Sequence, residues 1–213
     1  MTPRTSVSAR FFMIVSLGTA LTLTACGNTT QPQSASPTDS ASASASVTGA
    51  PSPTSTAVYK PADAKGKAEN VPVPVLPEAA KANTKEGVEA FARYWYELLN
   101  YGFETGRLGP INEVTSSTCA MCSKVFPGIE KWSSDGRWIV GSKIQVQAVT
   151  SKFLAASGEY QVAVQSQQSA GTLHNSDGSV GQNVAASGVL GDLVIAKYVD
   201  GKWFASNVDR LGS

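Results

Sequence analysis

Apolar residues recur at intervals of three and four between positions 88 and 103, which is the period of a helix with a buried face. They are Val88, Phe91, Ala92, Trp95, Leu99 and Phe103. Asn83 or Thr84 can cap this helix, with Glu86 in its first turn. Thr105-Gly106 predicts its end. Large apolar residues on the other faces predict a helix covered on more than one side; these are Tyr94, Tyr96, Leu98 and Tyr101.

A second helical region is predicted between Pro110 and Ile129, where apolar residues continue at helical spacing. Pro127-Gly128 is expected to break or shift this helix, because proline lacks the backbone N–H and its ring clashes with the preceding turn. Residues 133–136, with the sequence Ser-Ser-Asp-Gly, then indicate a turn.

From Arg137 onward the apolar period shortens to two, which is typical of half-buried strands. The alternating sets are Ile144, Val146 and Ala148, followed by Tyr160, Val162 and Val164. Two later strands, 189–199 and 203–208, are joined by Asp200-Gly201, a dipeptide that favours a tight hairpin. Residues 172–188 are rich in Gly, Ser, Asn and Asp and predict a long exposed loop. Helices followed by antiparallel strands predict one α+β domain over residues 78–213, with the helices packed on one sheet face.

The N-terminal segment is typical of an export signal. Arg4 and Arg10 precede an apolar run from Phe11, which closes on Leu23-Thr24-Ala25-Cys26. A cysteine directly after small residues resembles the lipobox of bacterial lipoproteins, which implies cleavage after residue 25 and a lipid on Cys26. The alternative is an uncleaved transmembrane anchor. The run 11–24 is interrupted by polar residues and is shorter than the roughly 20 residues that span a bilayer, which favours the signal peptide.

Two segments separate Cys26 from the predicted domain. Residues 26–58 consist mainly of Ser, Thr, Ala and Pro and hold too few apolar side chains to offset the entropy of ordering, so we expect a disordered tether. Residues 59–77 predict an extended arm, because alternating Val and Pro in 71–77 favour polyproline II. The valines favour an arm that lies on the domain. A spacer that touches nothing and a ligand for a proline-binding domain remain alternatives.

Charge and composition exclude some partners. Removal of residues 1–25 takes away Arg4 and Arg10 and leaves 15 basic against 16 acidic side chains. This balance offers no basic excess for a phosphate backbone, so we expect no nucleic-acid partner. The chain has one histidine and, apart from Cys26, only Cys119 and Cys122, so we also expect no bound metal and no cofactor.

Cys119 and Cys122 form a Cys-x-x-Cys pair. In an exported protein, an even pair predicts a disulfide, here across the first turn of a helix. A thiol-disulfide exchange site would follow a buried strand in a βαβ unit, and no such strand is predicted before residue 119. Redox activity is therefore the weaker alternative.

Several short motifs resemble an uncharacterised family of actinobacterial lipoproteins. They are Tyr59-Lys60-Pro61-Ala62, Asn70-Val71-Pro72-Val73-Pro74, Phe91-Ala92-Arg93-Tyr94-Trp95, Leu99-Asn100-Tyr101 and Cys119-Ala120-Met121-Cys122. The resemblance runs from about Tyr59 to the C-terminus and implies no assigned activity. The order of two helices and then a sheet also resembles the nuclear transport factor 2-like cone. That fold would wrap a curved antiparallel sheet around a long N-terminal helix and leave a pocket at one end.

Two titratable residues are candidates for chemistry. His174 lies in the predicted 172–188 loop, where we expect a solvated side chain rather than a catalytic one. Asp192 interrupts an apolar strand. An inward Asp192 could serve as a pocket acid, but an outward edge position is favoured because aspartate is seldom buried without a partner.

Aromatic residues are the best candidates for a ligand or partner surface, since aromatic walls with polar tips suit small apolar molecules. Tyr94 and Tyr101 are seven residues apart and so share one face of the first helix. Trp132 and Asp192 complete the candidate set. We therefore expect a non-enzymatic protein, lipid-anchored on the extracytoplasmic face of the cell membrane, that binds a small ligand or an envelope protein. The alternatives are an enzyme that uses a pocket carboxylate and a thiol-disulfide protein.

Overall fold

The computed structural model describes residues 57–154 and 158–212. The helices are α1 (Lys85–Thr105), α2 (Gly109–Asn112) and α3 (Ala120–Ser133), with 3-10 turns at Glu78–Lys81 and Ser134–Gly136. The strands are β1 (Trp138–Gly141), β2 (Ile144–Ser151), β3 (Tyr160–Gln168), β4 (Gly171–His174), β5 (Val180–Val184), β6 (Leu190–Val199) and β7 (Lys202–Arg210). The α+β class is thereby confirmed. The predicted signal peptide, and the predicted tether except for residues 57 and 58, lie outside the described residues.

Helix α1 forms where the apolar period predicts it. The Thr84 hydroxyl accepts a hydrogen bond from the Gly87 N–H at 3.0 Å and caps the first turn. Gly106 closes the helix in the left-handed conformation, with φ of 72°. Every face of α1 carries buried side chains, among them Tyr94, Tyr96, Leu98 and Tyr101. The prediction that α1 is covered on more than one side is confirmed.

The strands form two antiparallel sheets. One has the order β2-β3-β6-β7 and the other β1-β4-β5. In β3 the alternating side chains of Tyr160, Val162 and Val164 are buried, and they belong to the same apolar core as α1. Asp200 and Gly201 connect β6 and β7 with φ of 50° and 78°, which is the backbone of a two-residue hairpin turn. The predicted hairpin is confirmed.

The predicted loop over 172–188 is wrong. It contains most of β4 and all of β5, which pair with each other and place β4 beside β1. The side chains of β5 are mostly exposed, so this strand is held by backbone pairing rather than by an apolar face. Apolar alternation, the signal used to find strands, is therefore missing from it.

The predicted second helix is also corrected. Four residues form α2, and α3 begins only at Ala120. Between them, the Thr115 segment adds to β7 through hydrogen bonds that join Ser116 N to Ala205 O and Ala205 N to Val114 O. Pro127 lies inside α3 without ending it. Proline has no N–H, so the Ser123 carbonyl does not receive its helical hydrogen bond from residue 127. Ser123 and Pro127 are both exposed, so water can donate to this carbonyl instead.

The arm that precedes the helices contacts the domain. Its first part doubles back, because Lys60 and Glu69 pair through two backbone hydrogen bonds. The prediction of a single extended arm over 59–77 is corrected there, whereas residues 71–77 have no regular secondary structure. The Trp138 indole N–H donates to the Asp63 carbonyl at 2.8 Å, and the Tyr59 hydroxyl donates to Glu104. These bonds hold the arm against β1 and the end of α1.

Candidate functional site

A cavity of about 490 Å³ lies beside α1. Its wall is mainly apolar and aromatic: Leu76, Phe91, Tyr94, Val114, Trp203 and Phe204. Glu113, Asp200 and Lys202 supply the charged residues of the lining. We call this space the Tyr94 cavity. Burial raises the pKa of Tyr94, and the carboxylates of Glu113 and Glu97 raise it further, so the phenol stays neutral.

The other aromatic candidates do not share this cavity. Tyr101 lies below the arm, beside Pro72 and Pro74, in a depression of about 310 Å³. Trp132 lines a separate cavity of about 330 Å³ between α3 and the three-stranded sheet. The predicted set of Tyr94, Tyr101, Trp132 and Asp192 is therefore divided over four places in the domain.

Asp192 occupies an inward position, which overturns the predicted outward one. Its side chain is 0% exposed. One carboxylate oxygen accepts hydrogen bonds from the Tyr96 hydroxyl at 2.7 Å and the Ser166 hydroxyl at 2.9 Å. The other accepts from Arg210 Nε at 2.8 Å. An aspartate can be buried here because three donors meet its charge, and we call these four residues the Asp192 network.

The network also affects Tyr96. Burial raises the pKa of this phenol well above its ordinary value of 10.0, and the adjacent Asp192 carboxylate raises it further. Both carboxylate oxygens of Asp192 thus face fixed partners inside the domain. Such an arrangement can orient Arg210, whose side chain is 38% exposed, more readily than it can transfer a proton to a ligand.

The sulfur atoms of Cys119 and Cys122 lie at disulfide distance, as predicted. Cys119 is the N-cap of α3, so the bridge spans the first helical turn. Both residues are buried, and Cys119 is 0% exposed. A disulfide that exchanges with partner thiols must be accessible to them, so this environment is typical of a structural bridge.

One protein family matches most of the chain. It is a family of unknown function, DUF6318, and the match covers residues 57–209. Among the described elements, the span includes the arm, α1 to α3, β1 to β6, and β7 except for Arg210. The chain belongs to the DUF6318 family. No curated protein matches it.

Two solved structures are similar to this DUF6318 chain. The intermembrane space region of the chloroplast protein ARC6 has 12% identity and a TM-score of 0.41, and the match covers 61% of this chain and 98% of that one. A putative calcium/calmodulin dependent protein kinase II association domain from Xanthomonas campestris has 14% identity and a TM-score of 0.36, and the match covers 60% of this chain and 86% of that one. These scores are too low to define the fold.

The sequence predicted that His174 of the DUF6318 domain lies in a solvated loop, and this prediction is wrong. His174 ends β4, is buried, and stacks on Trp138 with ring centroids 5.1 Å apart. Its Nδ1 lies 3.1 Å from the Gly178 carbonyl oxygen. Stacking and one backbone contact give the imidazole a packing role.

Within residues 57–154 and 158–212, no group of acidic, histidine and cysteine side chains could hold a metal ion.

Sequence reasoning missed most of the Tyr94 cavity, including Leu76, Trp203 and Phe204. Trp203 and Phe204 are neighbours in an edge strand and so project to opposite faces, which does not indicate that both border one cavity. Leu76 carried no signal either, because a leucine between prolines does not show what it contacts. Over the described residues, no helix is both long and apolar enough to cross a bilayer.

Proposed function

We propose that this DUF6318 protein is an actinobacterial lipoprotein, anchored through lipid on Cys26 to the extracytoplasmic face of the cell membrane. Its domain binds a small apolar ligand, either free or as a side chain displayed by an envelope protein. In this proposal the four-stranded sheet curves around α1 as in the nuclear transport factor 2-like cone. The signal-like residues 1–25, the small residues before Cys26 and the tether composition support the location.

The observation that carries the binding proposal is the Tyr94 cavity. Its volume of about 490 Å³ falls within the range of roughly 300–1,000 Å³ found for ligand sites. Aromatic side chains from α1 and β7 meet Leu76 of the arm there, so three parts of the domain shape one apolar wall. Glu113, Asp200 and Lys202 supply polar groups that can orient a bound molecule.

The buried chemistry favours binding over the two alternatives. A catalytic Asp192 would need a path to substrate, yet its side chain is 0% exposed and three internal donors engage it. A redox pair would need an accessible sulfur, yet Cys119 and Cys122 are both buried. Neither arrangement offers a reacting group to the Tyr94 cavity.

A photoreactive benzoylphenylalanine at Lys202, in the full chain in living cells, tests this function. Lys202 is exposed and lines the Tyr94 cavity, so we expect a covalent adduct of defined mass. The same group at exposed Lys131, which does not line the cavity, should give none. Leu76→Glu places a carboxylate in the apolar wall and should reduce the adduct at least tenfold.

Val75→Glu is the matched control, because Val75 precedes Leu76 on the arm and its side chain faces solvent, being 83% exposed. This variant should leave the adduct unchanged. Equal adducts at positions 202 and 131, or equal losses in the two glutamate variants, would count against a specific site in the Tyr94 cavity.

A further inference from the structure

We propose that the ligand of the Tyr94 cavity is an organic cation, in which an ammonium group is attached to an apolar body. This inference rests on the proposed function and specifies the chemical class of its ligand. A free amine and a lysine side chain displayed by a partner protein share this chemistry. The apolar body packs against the wall, and the charged group stays at the mouth of the cavity.

Acidic residues outnumber basic ones in the described lining of the Tyr94 cavity. Glu113 follows α2 and Asp200 lies in the β6–β7 turn, whereas Lys202 is the one basic residue among those that line it. Glu113 and Asp200 are exposed, and neither forms an ion pair with a described residue. Their charges therefore mark the mouth of the cavity and are available to a ligand. A positively charged group gains from both carboxylates.

Tyr94 reports the sign of the electrostatic potential at the wall. Burial raises the pKa of its phenol, and the carboxylates of Glu113 and Glu97 raise it further. A carboxylate raises the pKa of a phenol because it opposes negative charge on the phenol oxygen. The same field opposes an anionic ligand beside Tyr94 and favours a cationic one.

The hydroxyl of Tyr94 is a further polar group that the domain leaves available. The residue is only 9% exposed, yet its hydroxyl has no hydrogen-bond partner among the described residues. The neighbouring Tyr96 differs, because its hydroxyl donates to Asp192. An ammonium group carries only donors, so it can use the phenol oxygen of Tyr94 as an acceptor in addition to the carboxylates.

Lys202 limits the size of this preference. Its charge opposes a cation, and with two acidic residues and one basic residue the described lining has a formal charge of −1. All three charged residues are exposed, so water and salt screen them. We therefore expect a discrimination between ligand charges of about threefold to tenfold, and we expect it to shrink as the salt concentration rises.

Three adamantane derivatives test the charge of the ligand while the apolar body stays constant. They are 1-adamantylammonium, 1-adamantanol and adamantane-1-carboxylate. The full chain is held in nanodiscs of phosphatidylcholine, which has no net charge, and carries 4-fluorophenylalanine in place of Phe204, a residue that lines the cavity. The ¹⁹F shift should give a dissociation constant about threefold lower for the ammonium than for the alcohol, and about tenfold lower than for the carboxylate. The same label at Phe126, which lies outside the lining, should not shift.

Two variants of nearly unchanged side-chain size remove the carboxylates one at a time. They are Glu113→Gln and Asp200→Asn, and asparagine tolerates the positive φ of 50° at position 200. Each should weaken binding of the ammonium about twofold and leave binding of the alcohol unchanged. Lys202→Gln should have the opposite effect and strengthen binding of the ammonium. Glu130→Gln is the matched control, because it neutralises an exposed glutamate on α3 outside the lining and should change none of the constants.

The crosslink from position 202 in living cells distinguishes the two sources of the amine. A free amine gives an adduct of small mass, whereas a displayed lysine gives an adduct of protein size with a lysine at the crosslinked site. Both results support the cationic ligand. A captured molecule without a basic nitrogen would overturn it.

The titrations separate failure of this inference from failure of the proposed function. Equal constants for the three adamantanes, or tightest binding of the carboxylate, would overturn the cationic ligand and leave apolar binding in place. No shift at position 204 with any of them would count against apolar binding itself, and the cationic ligand would fall with it. A full preference for the ammonium in the double variant Glu113→Gln, Asp200→Asn would overturn the assignment of that preference to these carboxylates.

Discussion

Among individual residues, Asp192 shows most clearly how polar groups shape this core. The Tyr96 and Ser166 hydroxyls share one of its oxygens, and Arg210 bonds the other. The network holds a helix, two inner strands and an edge strand together through one carboxylate. In the folded state the pKa of Tyr96 is raised above 10.0, its ordinary value in an unfolded chain. Above pH 10 the folded protein therefore binds more protons than the unfolded chain.

The first prediction follows from this difference. The contribution of Tyr96 to stability is complete below pH 10 and is lost progressively as the pH rises above it, by about 1.4 kcal/mol per pH unit. In Tyr96→Phe this part of the decline disappears, although stability at pH 7 falls by about 1–3 kcal/mol with the lost hydrogen bond. Urea denaturation between pH 8 and 11 measures both effects.

Ser166→Ala is the control, because it removes a donor from the same Asp192 oxygen without removing a titrating group. It should lower stability at pH 7 and leave the decline above pH 10 as steep as in the parent. Parallel curves for Tyr96→Phe and the parent above pH 10 would show that Tyr96 does not carry the effect.

At the scale of elements, sequence patterns succeeded where one physical cause fixes the conformation. The apolar period over 88–103 placed α1, and Asp200-Gly201 placed the β6–β7 turn. The patterns failed where the conformation or burial of a residue depends on partners that are distant in the chain. Most β5 side chains are exposed and the strand pairs through its backbone, and the buried state of Asp192 depends on Tyr96, which is 96 residues away in the chain. Of the candidate site, Tyr94 was predictable from its helix face, whereas Leu76 was not.

The β6–β7 turn gives a prediction for a single glycine. Gly201 has φ of 78° and open space where a Cβ would lie, so Gly201→Ala changes only backbone strain. We expect a loss of about 1 kcal/mol in the free energy of unfolding. Gly188→Ala, at an exposed glycine that also has open space but no positive φ, should be neutral or slightly stabilising. Equal urea midpoints for the two variants would contradict a strained turn.

For the whole molecule, the proposed location and the proposed binding site rest on different parts of the chain. Location depends on residues 1–58, whose composition is enough to predict a signal, a lipidated cysteine and a tether. Binding depends on the domain, whose cavities form only where distant segments meet and so were not predictable from local patterns.

Cys26→Ser tests the anchor without changing the domain, because only the thiol can form the thioether to lipid. Cells fed an alkyne analogue of palmitate should label the parent chain and leave Cys26→Ser unlabelled. The parent should lose residues 1–25, whereas Cys26→Ser should retain them. Gly27→Ala is the control, since it changes the neighbouring residue and keeps the thiol; it should stay labelled. The domain in the variant should keep its Cys119–Cys122 bridge, because that pair is buried independently of the anchor. An unlabelled parent that retains residues 1–25 would contradict the lipoprotein, and the tether would then have no membrane to extend from.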